Sequence, residues 1–206
     1  MPKKNDYSAV ILAGGENKRM SGVDKAGLIV NGIPIIQRSI RILKESFSEV
    51  LIVTNEKRDY SFEGVVVVKD MIRGVGPLGG IYTGLSHIKN EAGFFVACDM
   101  PFLHSELIAR LLDQFDREDC DAIVPRHGGD IEPLHAIYRK GLKDSILRSL
   151  NNDSGDRSIR NFLKKINVHY LDPGDDPEFQ NVFKNINTPE DIGRLYGSCR
   201  QDAENN

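Results

Sequence analysis

Ala9-Val10-Ile11-Leu12-Ala13-Gly14-Gly15 decides the reading of the chain, because a short apolar run empties directly into paired glycines. Apolar residues without polar alternation predict a strand buried on both faces, the signature of a parallel sheet. The glycines let the backbone come close to an anion with amide N–H groups left free to donate. Just downstream, Lys18, Arg19 and Lys25 add positive charge where phosphate oxygens would lie. No Gly-Lys-Ser/Thr follows the glycines, and no G-x-G-x-x-G opens a helix after them, so neither of the two commonest phosphate motifs is present.

Outward from this segment, further short apolar runs recur at residues 50–53, 65–68, 94–97 and 122–124. All read as buried strands. Helical patterns lie between several of them: Ile36, Ile40, Leu43 and Phe47 share one face, as do Leu107, Arg110, Leu111 and Phe115. Strand alternating with helix predicts an α/β chain with a mostly parallel central sheet and helices on both faces. In such sheets ligands bind beyond the carboxyl ends of the strands, near a topological switch point. The expected organisation is one domain over residues 1–197, with 198–206 as a frayed tail.

Composition narrows the function classes. With 28% charged and 40% apolar residues the chain resembles an ordinary soluble protein, and a formal net charge of −3 offers no general attraction to nucleic acid or to anionic membranes. The basic start has no apolar segment behind it, so a cytoplasmic location is expected. Cys98, Cys120 and Cys199 are widely spaced and form no C-x-x-C, which predicts reduced thiols rather than disulfides or a zinc site. The five histidines show no metal spacing, and His135 alternates with apolar neighbours as a packed residue would.

The candidate chemistry follows the strands. Asp99 comes directly after the run ending at Ala97-Cys98 and before Met100-Pro101, a natural Mg2+ position because that ion needs only one or two carboxylates plus phosphate oxygens and water. Asp70 ends the third run, close to Arg73-Gly-Val-Gly-Pro-Leu-Gly-Gly80. Its carboxylate could accept hydrogen bonds from guanine N1–H and the exocyclic amine, or it could be a turn or helix cap. A helix starting near Leu78 would bring backbone N–H groups to the same place, and small residues would let a base or ribose approach. Arg126 and His127 are candidates for contact with an anionic second substrate. No serine stands in a nucleophile elbow, which leaves direct displacement at phosphorus, where a protein positions reactants and neutralises charge.

These residues together resemble a known family, the molybdenum cofactor guanylyltransferases within the wider Rossmann-like nucleotidyltransferases. The resemblance rests on Leu12-Ala-Gly-Gly15, Arg19-Met20, Asp24-Lys25, Asn31-Gly-Ile-Pro34, Asp70, Gly76-Pro-Leu-Gly-Gly80, Ala97-Cys-Asp-Met-Pro101, Pro133-Leu134 and Asn185-Ile-Asn-Thr-Pro-Glu-Asp191, in order over nearly the whole chain. It implies a three-layer Rossmann-like nucleotidyltransferase fold and transfer of GMP from Mg2+-GTP to molybdenum-bearing molybdopterin, with release of pyrophosphate. It further implies nucleotide contacts from Leu12, Ala13, Gly14, Gly15, Lys25, Asp70 and Asp99, catalytic roles for Lys25, Arg19 and Asp99, and Mg2+ held by Asp99. Transient contacts with molybdopterin-synthesis proteins and molybdoenzyme chaperones are implied as well. Some relatives carry asparagine where this chain has Val53, which leaves Asn55 as the nearby amide. Asn187 is open to two readings, a metal or nucleotide contact and a helix cap. Two alternatives remain: a cytidylyltransferase of the same fold, and a non-catalytic protein that holds the cofactor.

Overall fold

The computed structural model describes residues 6–14, 29–30, 33–55, 62–151, 156–174, 176, 179, 181–186 and 191. Strand β1 (Ser8–Leu12) is followed by the short hairpin of β2 (Ile29–Val30) and β3 (Ile33–Pro34), then helix α1 (Ile35–Ser46) and β4 (Glu49–Thr54). Next come β5 (Val65–Lys69), α2 (Pro77–His87), β6 (Ala92–Ala97), α3 (Ser105–Arg117) and β7 (Ala122–His127). The remaining elements are β8 (Asp130–Ile131), β9 (His135–Arg139), α4 (Lys143–Asn151), α5 (Ile159–Leu163) and β10 (Val168–Leu171).

The main sheet runs β10-β7-β9-β6-β1-β4-β5, with β8 paired to β7. Strands β5, β4, β1 and β6 are parallel to their neighbours within this set, and β10 is parallel to β7. Strand β9 is antiparallel to both β6 and β7 and lies between them. Connections from β1 to β4 and β5 progress to one side of β1, whereas β6 lies on its other side. The direction of winding therefore reverses between β1 and β6, the place where open α/β sheets form a ligand crevice.

Period-two alternation along each strand divides the core into two layers. Ala9, Ile11, Val50, Ile52, Phe94 and Val96 pack with Ile36, Ile40 and Leu43 of α1 and with Leu107, Ile108 and Leu111 of α3. Val10, Leu12, Leu51, Val53 and Phe95 face the opposite way, onto Leu78, Ile81 and Leu85 of α2, Ile146 of α4 and Phe162 of α5. Covering both faces is what makes these strands read as unbroken apolar runs. β5 differs from the expectation of full burial: it is the last strand of the order, and Val66 is 49% exposed. Among the described residues no helix is long and apolar enough to cross a membrane.

His135 shows the cost of a polar group in this core. Its ring is fully buried, meets Phe94 and Phe183 edge-on at centroid separations of 5.0 and 5.4 Å, and has no hydrogen-bond partner for either nitrogen among the described residues. Burial pushes its pKa down from 6.5 to about 3. The unfolded chain thus binds a proton that the native state refuses, and stability falls as pH drops below about 6.5 by up to ~1.4 kcal/mol per pH unit. His135→Phe is expected to flatten that slope without loss of stability near neutral pH, checked by urea unfolding between about pH 5 and 7.5; an unchanged slope would assign the acid sensitivity elsewhere.

Candidate active site

The carboxyl end of β1 is tied to both neighbouring strands: the Leu12 carbonyl accepts from the Cys98 amide at 3.1 Å, and the Ala13 amide donates to the Val53 carbonyl at 2.8 Å. Gly14 then emerges exposed. A Cβ at Gly14 would stand 3.1 Å from Nδ2 of Asn55, so this glycine makes room for a neighbouring carboxamide in addition to exposing backbone. Gly15, Arg19 and Lys25 lie outside the described residues, as does Asn187.

Asp70 stands just beyond β5, with its amide donating to the Thr54 carbonyl of β4 at 2.9 Å. One carboxylate oxygen, Oδ1, accepts from the Thr83 hydroxyl at 2.7 Å and from the Ile72 amide at 3.2 Å. Thr83 is fully buried in α2 and its hydroxyl also accepts from the Met71 amide at 3.0 Å, so the carboxylate is anchored to the first turns of that helix. The half-buried Asp70 keeps its other oxygen without a hydrogen bond among the described residues. The turn reading of Asp70 therefore holds for Oδ1, whereas α2 itself is preceded by Gly76 and takes no side-chain cap.

The glycines before and within α2 divide into two sets. Gly76 precedes the helix at φ 73° and ψ −164°, a conformation essentially confined to glycine, and at both Gly76 and Gly74 an added Cβ would find no atom within 4 Å. Gly79, Gly80 and Gly84 instead face protein: an added Cβ would meet the Ile72 carbonyl oxygen at 2.5 Å, Leu12 Cδ2 at 3.1 Å and Phe95 Cε1 at 2.5 Å respectively. The sequence suggested that small residues here admit a ligand. Of these, Gly79 admits the Ile72 carbonyl of the preceding turn and Gly80 admits Leu12 of β1.

Asp99 follows β6 in a tight turn closed by the Met100 amide on the Ala97 carbonyl at 3.2 Å. Its carbonyl accepts from the Ile186 amide at 2.8 Å, which anchors a returning segment in which Phe179, Val182 and Ile186 are buried. The side of Asp99 away from β1 opens into a cleft of about 340 Å3 lined by Asp130, Glu132, Pro133, Arg160 and Asn185 among others. Arg160 holds Asp130 at 3.1 Å across the cleft wall. Burial, with the nearby Asp130 charge second, pushes the Glu132 carboxyl above its ordinary range. No group of three or more His, Cys, Asp or Glu suited to hold a metal occurs among the described residues.

Leu12–Gly14, Asp70, the start of α2 and Asp99 thus lie along the carboxyl edge of the contiguous strands β5, β4, β1 and β6, with the winding reversal between β1 and β6. Residues 9–169 match the profile of the MobA-like NTP transferase domain. The chain belongs to that family. A relative named probable molybdenum cofactor guanylyltransferase in Natranaerobius thermophilus is 38% identical over 195 residues, covering 91% of this chain and 94% of its own. The molybdenum cofactor guanylyltransferase of Vibrio parahaemolyticus is 36% identical over 95% of this chain and 97% of its own. Among solved structures, molybdopterin-guanine dinucleotide biosynthesis protein A from Archaeoglobus fulgidus superposes with a TM-score of 0.78 at 27% identity, covering 94% of this chain and 99% of that one.

In this MobA-like transferase several site residues escaped sequence reasoning. Arg126 lies over the Tyr170 ring at 4.2 Å and His127 packs on Phe183 at 5.5 Å, so the two residues expected to meet a second substrate are engaged outside the cleft lining. Arg160, in the first turn of α5, supplies the cleft's guanidinium instead. The available signal was Ser158, which caps α5 by accepting from the Asn161 amide at 3.2 Å and so orders the turn that carries Arg160. Thr83 offered no comparable local signal, since its partner Asp70 lies 13 residues away.

Proposed function

We propose that the protein transfers GMP from Mg2+-GTP to the terminal phosphate of molybdenum-bearing molybdopterin, forming the guanine dinucleotide and releasing pyrophosphate. The observation that carries this reading is the alignment of the Leu12–Gly14 lip, Asp70 and Asp99 along one carboxyl edge that includes the winding reversal, in a chain of this family. A phosphate oxygen of the acceptor attacks the α-phosphorus of GTP. The bond from that phosphorus to the bridging oxygen breaks, and its electron pair leaves with pyrophosphate.

Each part of the site has a role in this reading. Backbone groups of Leu12, Ala13, Gly14 and Gly15 hold the nucleotide, and the open oxygen of Asp70 accepts from the guanine edge. Lys25 and Arg19 neutralise the triphosphate as negative charge builds on the leaving group. Asp99 fits Mg2+: it is a half-buried carboxylate beside an oxygen-rich cleft, the hard donor set that ion takes together with phosphate oxygens and water. When bound, Mg2+ supplies charge neutralisation at the reacting phosphate. The cleft carrying Arg160 suits the acceptor, whose phosphate a guanidinium can grip with two parallel hydrogen bonds.

The decisive experiment supplies purified protein with Mg2+, molybdenum-bearing molybdopterin and GTP, CTP or ATP in turn, and follows pyrophosphate and the dinucleotide product. GTP is expected to support turnover far above the other two. Release from CTP but not GTP would make the protein a cytidylyltransferase. Bound molybdopterin with no turnover on any nucleotide would make it a carrier.

A further inference from the structure

The strand order β1-β4-β5 places Asn55 between Gly14 and Asp70 at the carboxyl edge of the sheet. All three continue the rows of Leu12, Val53 and Val68, which point into the α2-side core, so they belong to the face on which α2 begins. Thr54 pairs with Lys69 in register, and the Asp70 amide donates to the Thr54 carbonyl, so Asn55 and Asp70 leave adjacent strands at the same level. The carboxamide of Asn55 is fixed on one side by its approach to Gly14, and its backbone carbonyl accepts from Arg73 Nη2 at 3.4 Å. Its Oδ1 is buried and has no hydrogen-bond partner among the described residues.

A buried acceptor left empty is costly, and native sites retain one where something else completes it. Here it belongs to the residue that neighbours Asp70 across the β4-β5 register, and Asp70 has one oxygen engaged by Thr83 and Ile72, so the edge sets two acceptor side chains on adjacent strands. Guanine alone among the common bases offers two adjacent donors, N1–H and the exocyclic N2–H2; adenine and cytosine each set an acceptor ring nitrogen beside their single amine. The geometry points to Asn55 as a specificity residue that accepts from the exocyclic amine of guanine, while Asp70 accepts from N1–H. This rests on the guanine-nucleotide reading given above, and it gives the second strand a base contact despite Val53.

Inosine triphosphate, which keeps N1–H and lacks the exocyclic amine, isolates the contribution of Asn55. Calorimetric titration of the wild-type protein is expected to show GTP binding about tenfold more tightly than ITP, the effect of one hydrogen bond of ~1.4 kcal/mol. Asn55→Leu should weaken GTP to the ITP level and leave ITP unchanged, with the same urea midpoint as wild type. Asn55→Asp, which retains an acceptor oxygen, should keep the preference for GTP over ITP. Equal weakening of GTP and ITP by Asn55→Leu, no weakening of either, or loss of the preference in Asn55→Asp would overturn the assignment. If wild-type protein prefers CTP or ATP to both purine probes, the guanine reading itself fails; a wild-type preference for GTP that Asn55→Leu leaves intact removes only the role of Asn55.

Discussion

Asp99→Asn is expected to lower GTP-dependent transfer by about a thousandfold or more while leaving the urea unfolding midpoint unchanged. The substitution preserves shape and removes the charge that would hold a divalent cation against the triphosphate, an interaction worth several kcal/mol of transition-state stabilisation at ~1.4 kcal/mol per decade of rate. The fold should survive because the Asp99 side chain is only half-buried, and because asparagine leaves intact the residue 99 carbonyl that accepts from Ile186 at 2.8 Å. Steady-state kinetics over a range of Mg2+ concentrations would read the effect. Turnover in the variant that matched wild type would remove Asp99 from any metal role.

The largest effect on stability is expected at Gly84. A methyl group there would come within 2.5 Å of Phe95 Cε1 and 2.9 Å of Val10 Cγ1. Phe95 cannot easily turn aside, since it is fully buried and meets Tyr138 edge-on at 5.7 Å. Gly84→Ala should therefore lift α2 from the sheet and destabilise the protein by about 2 kcal/mol, even though alanine favours a helix over glycine by ~1 kcal/mol. For a chain of this size that corresponds to a fall of roughly 4–8 °C in Tm. Calorimetry would detect it, and a variant as stable as wild type would mean that α2 has slack against β1 and β6. Because Thr83 adjoins Gly84, the same variant should also loosen Asp70 and raise the KM for nucleotide.

How much of this was legible in the sequence depends on how far apart the interacting groups lie along the chain. β1, β4 and β6 announce themselves as apolar runs because helices cover both of their faces, and Asp70 and Asp99 are conspicuous because each closely follows such a run. β9 was not distinguishable as antiparallel: its orientation is a matter of its partners β6 and β7, and nothing within His135–Arg139 encodes it. Gly79 and Gly80 looked permissive toward a ligand until the positions of Ile72 and Leu12 assigned them to packing. Arg160 and Asp130 are 30 residues apart, so their meeting at the cleft wall has no local signature. Asn55 gained significance only when its neighbour Gly14 and its unmatched oxygen were seen together.

The hydrogen bond from Ile186 to the Asp99 carbonyl also orders events during synthesis. β6 and its carboxylate emerge from the ribosome well before the segment that fastens the turn behind them, at positions 99 and 186. Domains begin to fold as they emerge, so the sheet can assemble while this turn is still unfastened. A nascent chain, or a fragment ending before residue 186, would carry the Leu12–Gly14 segment and Asp99 without the tie that holds the Asp99 turn in place. Competence for transfer should therefore arrive abruptly, once residue 186 has been made and can reach the turn, rather than in proportion to the length made.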